Sequence, residues 1–353
     1  MAATGAIDCD VHPNVPSIRA LVPYLDPYWQ EMVDLRGIAG FETQSFPPAA
    51  PFSARRDWRN DDGRAATAVG DVQRRLFGDW GTGTVILNCL YGIQLIHDEA
   101  MAAAMARAVN DWLAAEWLAA DPRLEASIVV PIQNAEFAVE EIERRAGDRR
   151  FVQVLVLAMG EVPLGRRMHW PIYAACERHC LPLLIHAGSA YRQPVTAMGW
   201  PGSWLEDYVD QPQGFQAQLA SLVSHGVFQR FPGLTVVLGE SGITWLPAFL
   251  WRFSKNWRGL QMEIPWVDRS PFEIVRDHVR LTLQPIDAPA GGEAFLRILD
   301  QLGTDETILY SSDYPHWQFD GDDPLPDWLP PDLRRKFMVE NPLATYPRLG
   351  DEA

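Results

Sequence analysis

Apolar positions along this chain follow two alternating rhythms. Short, nearly continuous aliphatic runs occur at 6–12 (AIDCDVH), 84–89 (TVILNC), 125–131 (EASIVVP), 152–158 (VQVLVLA), 181–188 (LPLLIHAG), 234–240 (LTVVLGE), 279–285 (VRLTLQP) and 307–313 (TILYSSD). Each reads as a buried strand. Between them the apolar spacing changes to that of a helix, most clearly over 98–120, where Met101, Met105, Val109, Trp112, Leu113 and Trp117 recur before Asp121-Pro122 ends the pattern. Those methionines and tryptophans are packing residues. Further helices are predicted near 135–146, 169–179, 215–224, 244–258, 291–301 and 331–340. Strands that are apolar throughout and separated by helices form a parallel sheet covered on its outer face. Eight such units predict a closed (β/α)8, TIM-like barrel forming one domain over residues 1–353.

Two stretches break the rhythm. Residues 40–70, with FPPAAPFSARRDWRNDDG, form an insertion after the first strand, and RQPVTAMGWPGSWLEDYVDQPQG (192–214) forms another after the fifth. Both follow strand C-termini, where barrels build their sites, so lids, oligomer contacts and plain surface excursions all remain open. A Pro- and Asp-rich segment at 320–332 connects to the last helix.

The first strand poses a physical problem. In IDCDVHP, Asp8, Asp10 and His12 alternate with Ile7, Cys9 and Val11, which aims three ionisable groups at one face of a buried strand. Buried charge is costly unless paired or bound to a metal, so a counter-charge must come from elsewhere in the chain. Composition narrows the field. A net charge of −16, with no lysine or arginine block, excludes a nucleic-acid or anionic-membrane partner. No apolar run approaches the roughly 18 residues of a transmembrane helix, and the N-terminus has no signal-peptide pattern. Cys9, Cys89, Cys176 and Cys180 lack CxxC spacing and read as reduced thiols, so a cytoplasmic protein is expected.

The strand ends supply the missing partners. His12, Asn88, His186, Glu240, Gln284 and Asp313 close the first, second, fifth, sixth, seventh and eighth strands, and in a barrel they converge at one mouth. Two histidines and several carboxylates meeting there form a site for a divalent metal: Zn, Mn or Fe.

Four of these runs, IDCDVHP, LLIHAG, VVLGESGITWLP with the following WR, and LYSSDYPHW, resemble in order and position the amidohydrolase-related family of metal-dependent barrels, which includes aminocarboxymuconate-semialdehyde and γ-resorcylate decarboxylases. The resemblance implies metal ligation by Asp10, His12, His186 and Asp313. Asp313 would also act as proton shuttle. One departure stands out: where decarboxylases of the family carry a histidine after the sixth strand, this chain has Glu240. Glu240 is then a general base, a ligand to a second metal or a helix N-terminal carboxylate, and His316 a second-metal ligand, proton donor or structural hydrogen bonder. Together they leave room for two ions. Asp8 is expected to support the ligands through hydrogen bonds. Arg252, in the helix after the sixth strand, is a candidate carboxylate clamp or structural ion pair, and Asn88 a candidate substrate contact. Arg55, Arg56 and Arg59 either reach an anionic substrate or form an exposed basic patch. His97, His169, His179, His225 and His278 are assigned no chemistry.

The resemblance implies a hydrolase or non-oxidative decarboxylase acting on a small carboxylic or aromatic molecule. Two alternatives remain: a non-haem dinuclear oxygenase on the same fold, and a non-catalytic subunit paired with a paralogue. Homo-oligomerisation, or hetero-oligomerisation with such a paralogue, is expected.

Overall fold

The computed structural model describes residues 5–41, 54–188, 193–316 and 322–350. Residues 42–53 of the first expected insertion, 189–192 up to the start of the second, and 317–321 after the last strand lie outside the described residues. The strands are β1 (Ile7–Val11), β2 (Thr84–Leu87), β3 (Leu124–Val129), β4 (Phe151–Leu157), β5 (Leu183–His186), β6 (Val236–Gly239), β7 (Val279–Thr282) and β8 (Ile308–Leu309). They pair in sequence order, every neighbour parallel. The seam between first and last is irregular. It is closed by Cys9 N–H to Tyr310 O (2.9 Å), His12 N–H to Tyr314 O (2.8 Å) and Asp313 N–H to Asp10 O (3.1 Å). The expected (β/α)8 barrel is therefore the observed one.

Helices cover the outside. The 98–120 pattern becomes the helix Glu99–Trp112, capped by the Asp98 carboxylate on the Met101 amide, and then a wider turn over Leu113–Leu118. Met105, Val109, Trp112, Leu113 and Trp117 are buried and Met101 half-buried, as packing residues should be. The stretch expected as an irregular insertion at 192–214 instead turns helical at Trp204 and continues to Ser224. Ser203 caps it, and Pro212 sits inside it, which masks its helical character in the sequence. Among the described residues no helix is long and apolar enough to cross a membrane. Cys9, Cys89 and Cys176 are buried free thiols, and Cys180 is an exposed one.

The barrel interior is filled in layers. Ile7, Cys9, Ile86, Leu184, Val237 and Leu309 pack against Leu343, Tyr346 and Leu349 of the C-terminal segment, which plugs the floor. Above them, Asn88, Ser127 and Gln153 put polar side chains from β3, β4 and the end of β2 into the centre. Near the start of β3, burial pushes the Glu125 carboxyl up to about 8, with Asp148 adding to the shift and Arg150 opposing it. Its folded-state pKa thus lies above the unfolded value of 4.5. Below pH 4.5 the group contributes nothing; between that and about 8 the unfolded chain ionises it first, so stability falls as pH rises. Glu125→Gln is expected to remove this decline and to stabilise the protein at pH 8 by on the order of 2 kcal/mol, read from denaturant midpoints at pH 5 and pH 8.

Candidate metal centre

The barrel mouth gathers six ionisable side chains: Asp10 and His12 from β1 and its end, His186 from β5, Glu240 after β6, and Asp313 and His316 after β8. Asp10, His186 and Asp313 are fully buried; Glu240 and His316 keep side-chain exposures of 8% and 16% and form the solvent side. The six compose two overlapping quartets, Asp10–His12–His186–Glu240 and His12–Glu240–Asp313–His316, each with one ligand atom per residue within 4.8 Å of all the others. His12 and Glu240 belong to both.

His12 stands at the centre. Its Nδ1–H donates to the Asn88 carbonyl (2.9 Å), which turns Nε2 toward Asp10 (3.3 Å), Glu240 (3.2 Å) and Asp313 (3.2 Å). His186 is fixed in the same way, with Nδ1 on the Ala187 carbonyl and Nε2 3.2 Å from both Asp10 oxygens. His316 stacks on His12 with ring centroids 4.7 Å apart, and its Nδ1 lies 2.7 Å from Asp313 and 3.3 Å from Glu240.

Each carboxylate is held from behind. Asn88 donates to Asp10 Oδ1 (2.7 Å) and to the Cys9 carbonyl (3.2 Å), while its own oxygen accepts from Ser127 and Gln153. With both donors and its acceptor engaged and no exposure, Asn88 orients Asp10 instead of meeting a substrate. Asp8 accepts from the Ser312 and Asp10 amides (3.0 and 3.3 Å), the supporting role expected of it, and burial pushes its carboxyl up to about 7. The Glu240 amide donates to Thr282 Oγ1 (2.9 Å), and the loop behind it is pinned by Asp287, which accepts from the Ile243 and Thr244 amides (3.1 and 3.3 Å). Glu240 and Asp313 both adopt left-handed backbone, with φ of 55° and 58°. Such strain at non-glycine residues is sustained where surrounding contacts over-determine the conformation.

The electrostatics fit a site made for a cation. Burial alone would raise Asp10 and Glu240, yet the surrounding imidazoles hold both below the usual carboxylate range. Burial alone would lower His12, His186 and His316, yet the carboxylates hold all three above the ordinary histidine value. Asp313 is raised by burial and by Glu240. Two buried atoms facing this centre, His12 Nε2 and Asp313 Oδ2, lack a geometrically sound hydrogen-bond partner among the described residues. Imidazole nitrogens aimed inward by bonds on their far side, mixed with carboxylate oxygens, are a first-row divalent-metal donor set.

The sequence candidates divide cleanly. Asp10, His12, His186, Glu240, Asp313 and His316 are brought together. Arg252 is not: on the helix Leu246–Leu260 the buried face runs through Leu246, Leu250 and Ser254, and Arg252, two positions from Leu250, lies exposed on the other side. Two of the three arm arginines are engaged elsewhere, and Arg56 is exposed. Arg55 pairs with Asp57 and Asp322 (2.8 and 2.7 Å), and Arg59 donates to the Ala54 carbonyl (2.9 Å). Ala54 in turn bridges to the backbone of His316, so the arm is laid against the end of β8.

Close packing leaves the centre little freedom. A Cβ on Gly239 would sit 2.4 Å from His186 Cδ2 and 3.0 Å from Leu184 Cδ1. Gly239→Ala is therefore expected to cost roughly 1–3 kcal/mol through overpacking, read from denaturation in the presence of a chelator. Gly259→Ala, where nothing lies within 4 Å, is the control and should be neutral or stabilising.

The sequence model of the amidohydrolase family matches residues 7–348. Gamma-resorcylate decarboxylase of Polaromonas sp. (strain JS666) is 26% identical over 298 residues, spanning 79% of this chain and 86% of that protein. Among solved structures, an amidohydrolase from Mycobacterium avium subsp. paratuberculosis K-10 superposes with a TM-score of 0.74 at 21% identity, covering 98% of this chain and 99% of that one. The dihydroxybenzoic acid decarboxylase of Polaromonas sp. JS666, solved with bound manganese and the inhibitor 2-nitroresorcinol, gives 0.67 at 20% identity, covering 98% and 97%. With a family match that runs from β1 to the last helix and takes in all six clustered side chains, this chain belongs to the amidohydrolase family.

Proposed function

We propose that this protein is a metal-dependent, non-oxidative decarboxylase of a small aromatic carboxylate. The observation that carries the reading is the six-residue centre at the barrel mouth, in which Asp313 keeps an unpartnered oxygen while its other oxygen is held by His316. Named relatives and neighbours that decarboxylate resorcylate or dihydroxybenzoate support the substrate class.

Asp10, His12, His186 and Glu240 would hold one ion, and His12, Glu240, Asp313 and His316 compose the second, overlapping quartet; Glu240, shared by both, would be a ligand and not a helix cap, since the following helix begins only at Leu246. A divalent cation bound here supplies Lewis acidity to a substrate oxygen and neutralises the carboxylates. Manganese, as in the neighbour, suits the oxygen-rich donor set. Asn88, Ser127 and Gln153 keep Asp10 aimed. Asp313 delivers a proton from Oδ2 to the ring carbon bearing the carboxylate; the bond to the carboxylate carbon then breaks, its electron pair returns to the ring and CO₂ departs. His316, hydrogen-bonded to Asp313 Oδ1 and partly exposed, returns the proton from solvent.

The test uses manganese-loaded protein with 2,6-dihydroxybenzoate and 5-carboxyvanillate. One CO₂ per molecule of acid consumed, at a rate unchanged by removing oxygen and abolished by chelation, is the expected result. Hydrolysis of esters or lactones with no CO₂ from either acid overturns the reading. A strict requirement for O₂ points to the oxygenase alternative.

A further inference from the structure

Beside the metal centre, on the β2–β4 side of the mouth, lies a small cavity of about 50 Å³. Gln94, Gln133, Leu157 and His169 line it, and a narrower extension bordered by Cys89, Tyr91 and Leu155 shares Gln94 and Leu157 with it. Its position relative to the centre is fixed by register. Leu157 pairs with His186 across β4 and β5, and Cys89 follows the Asn88 that holds Asp10. Adjacent strands lie roughly 4.8 Å apart, so the Leu157 wall of the cavity stands one strand from the clustered His186.

Its lining mixes apolar side chains such as Ile132, Leu157 and Leu164 with Gln94, Gln133, Glu161 and His169. Gln94 is 5% exposed, and among the described residues neither its Nε2 nor its Oε1 finds a hydrogen-bond partner. The Tyr91 hydroxyl and Gln133 Oε1, bordering the same space, are unpartnered too. An idle buried amide carries an uncompensated desolvation penalty that a purely structural glutamine would be expected to relieve. Gln94 is nevertheless held firmly in place: it sits in the turn Ile93–Leu95, whose flanking carbonyls at Ile93 and Ile96 both accept from Gln133 Nε2 (2.7 and 2.9 Å). The backbone that carries the amide is thus fixed, and the amide itself is free on both its donor and acceptor sides.

We infer that Gln94 is the recognition residue of a subsite for a neutral hydroxyl substituent on the substrate ring. This rests on the aromatic reading above. A hydroxyl accepts from the Gln94 amide N–H and donates to its carbonyl, satisfying both idle atoms with one group. A cavity of about 50 Å³ admits a small substituent, and the Glu161 carboxylate on its wall disfavours an anionic one.

The test is a set of binding ratios on manganese-loaded protein. Salicylate is compared with 2,3-, 2,4-, 2,5- and 2,6-dihydroxybenzoate in the wild type and in Gln94→Leu, which keeps the volume and removes both polar atoms. At least one added hydroxyl is expected to tighten binding tenfold or more in the wild type. That gain should shrink to under about twofold in Gln94→Leu, which should itself be no less stable than wild type because an idle amide has been replaced by a hydrocarbon. A gain that survives the substitution, or no gain from any isomer, overturns the inference. A second measurement does not depend on the carboxylate. Crystals soaked in phenol should show its oxygen within hydrogen-bond distance of the Gln94 amide, and a cavity holding only water there overturns the subsite. Failure of the decarboxylase reading is distinguishable, because it appears as absence of CO₂ release whatever the binding ratios show.

Discussion

Asp313→Asn is expected to lower kcat by roughly 10³-fold or more while the protein stays folded and keeps its metal. The expectation follows from what the substitution preserves. Asparagine tolerates left-handed backbone as readily as aspartate, so the φ of 58° at this position is not disturbed. Its amide oxygen can still face His12 Nε2, which lies 3.2 Å from Oδ1 in the native protein. What it cannot do is carry a proton to carbon. Elemental analysis and circular dichroism should therefore match the wild type while CO₂ release collapses. Turnover within tenfold of wild type would place the proton elsewhere and remove Asp313 from the chemistry. Asp313→Ala is the harsher comparison, since it loses the ligand oxygen and puts a residue unsuited to positive φ at the same strained point.

Stripping the metal is expected to have the second large effect. Without a cation, three carboxylates are opposed only by imidazoles, and His12 can donate to both Asn88 and the carboxylates only as imidazolium. Ion uptake must displace those protons, so binding at pH 7 is expected to release at least about one proton per ion, and affinity to rise with pH. Calorimetric titration in two buffers of different ionisation enthalpy reads this directly. At 100 times the dissociation constant the bound ion adds about 2.7 kcal/mol, and chelation should lower Tm by roughly 3–5 °C. No change in Tm and no proton release would mean that the six side chains balance one another without an ion.

Much of this was visible in the sequence because barrel geometry turns strand ends into neighbours. Once eight apolar runs separated by helices specify the closed sheet, Asp10, His12, His186, Glu240 and Asp313 have to meet, and they do. The supporting residues were harder to see. Ser127 and Gln153 are single polar residues within otherwise apolar strands, a signal present in EASIVVP and FVQVLVL but without meaning until the partner, Asn88, is placed. Thr282 and Asp287 hold the Glu240 loop from another strand, and no local pattern announces such long-range contacts. Arg252 shows the converse difficulty. Its chain position beside the sixth-strand motif suggested a clamp, but helical phase turned it outward, and phase depends on where the helix begins. Gln94 carried no signal at all, since a glutamine in a short turn is ordinary until its amide is seen to be buried and idle.

Two of the three backbone hydrogen bonds that close the seam between the first strand and the last come from the metal-centre residues themselves: His12 to Tyr314, and Asp313 to Asp10. Closing the cylinder and completing the six-residue cluster are therefore one event, because the same segment that zips the last strand onto the first delivers Asp313 and His316 to His12.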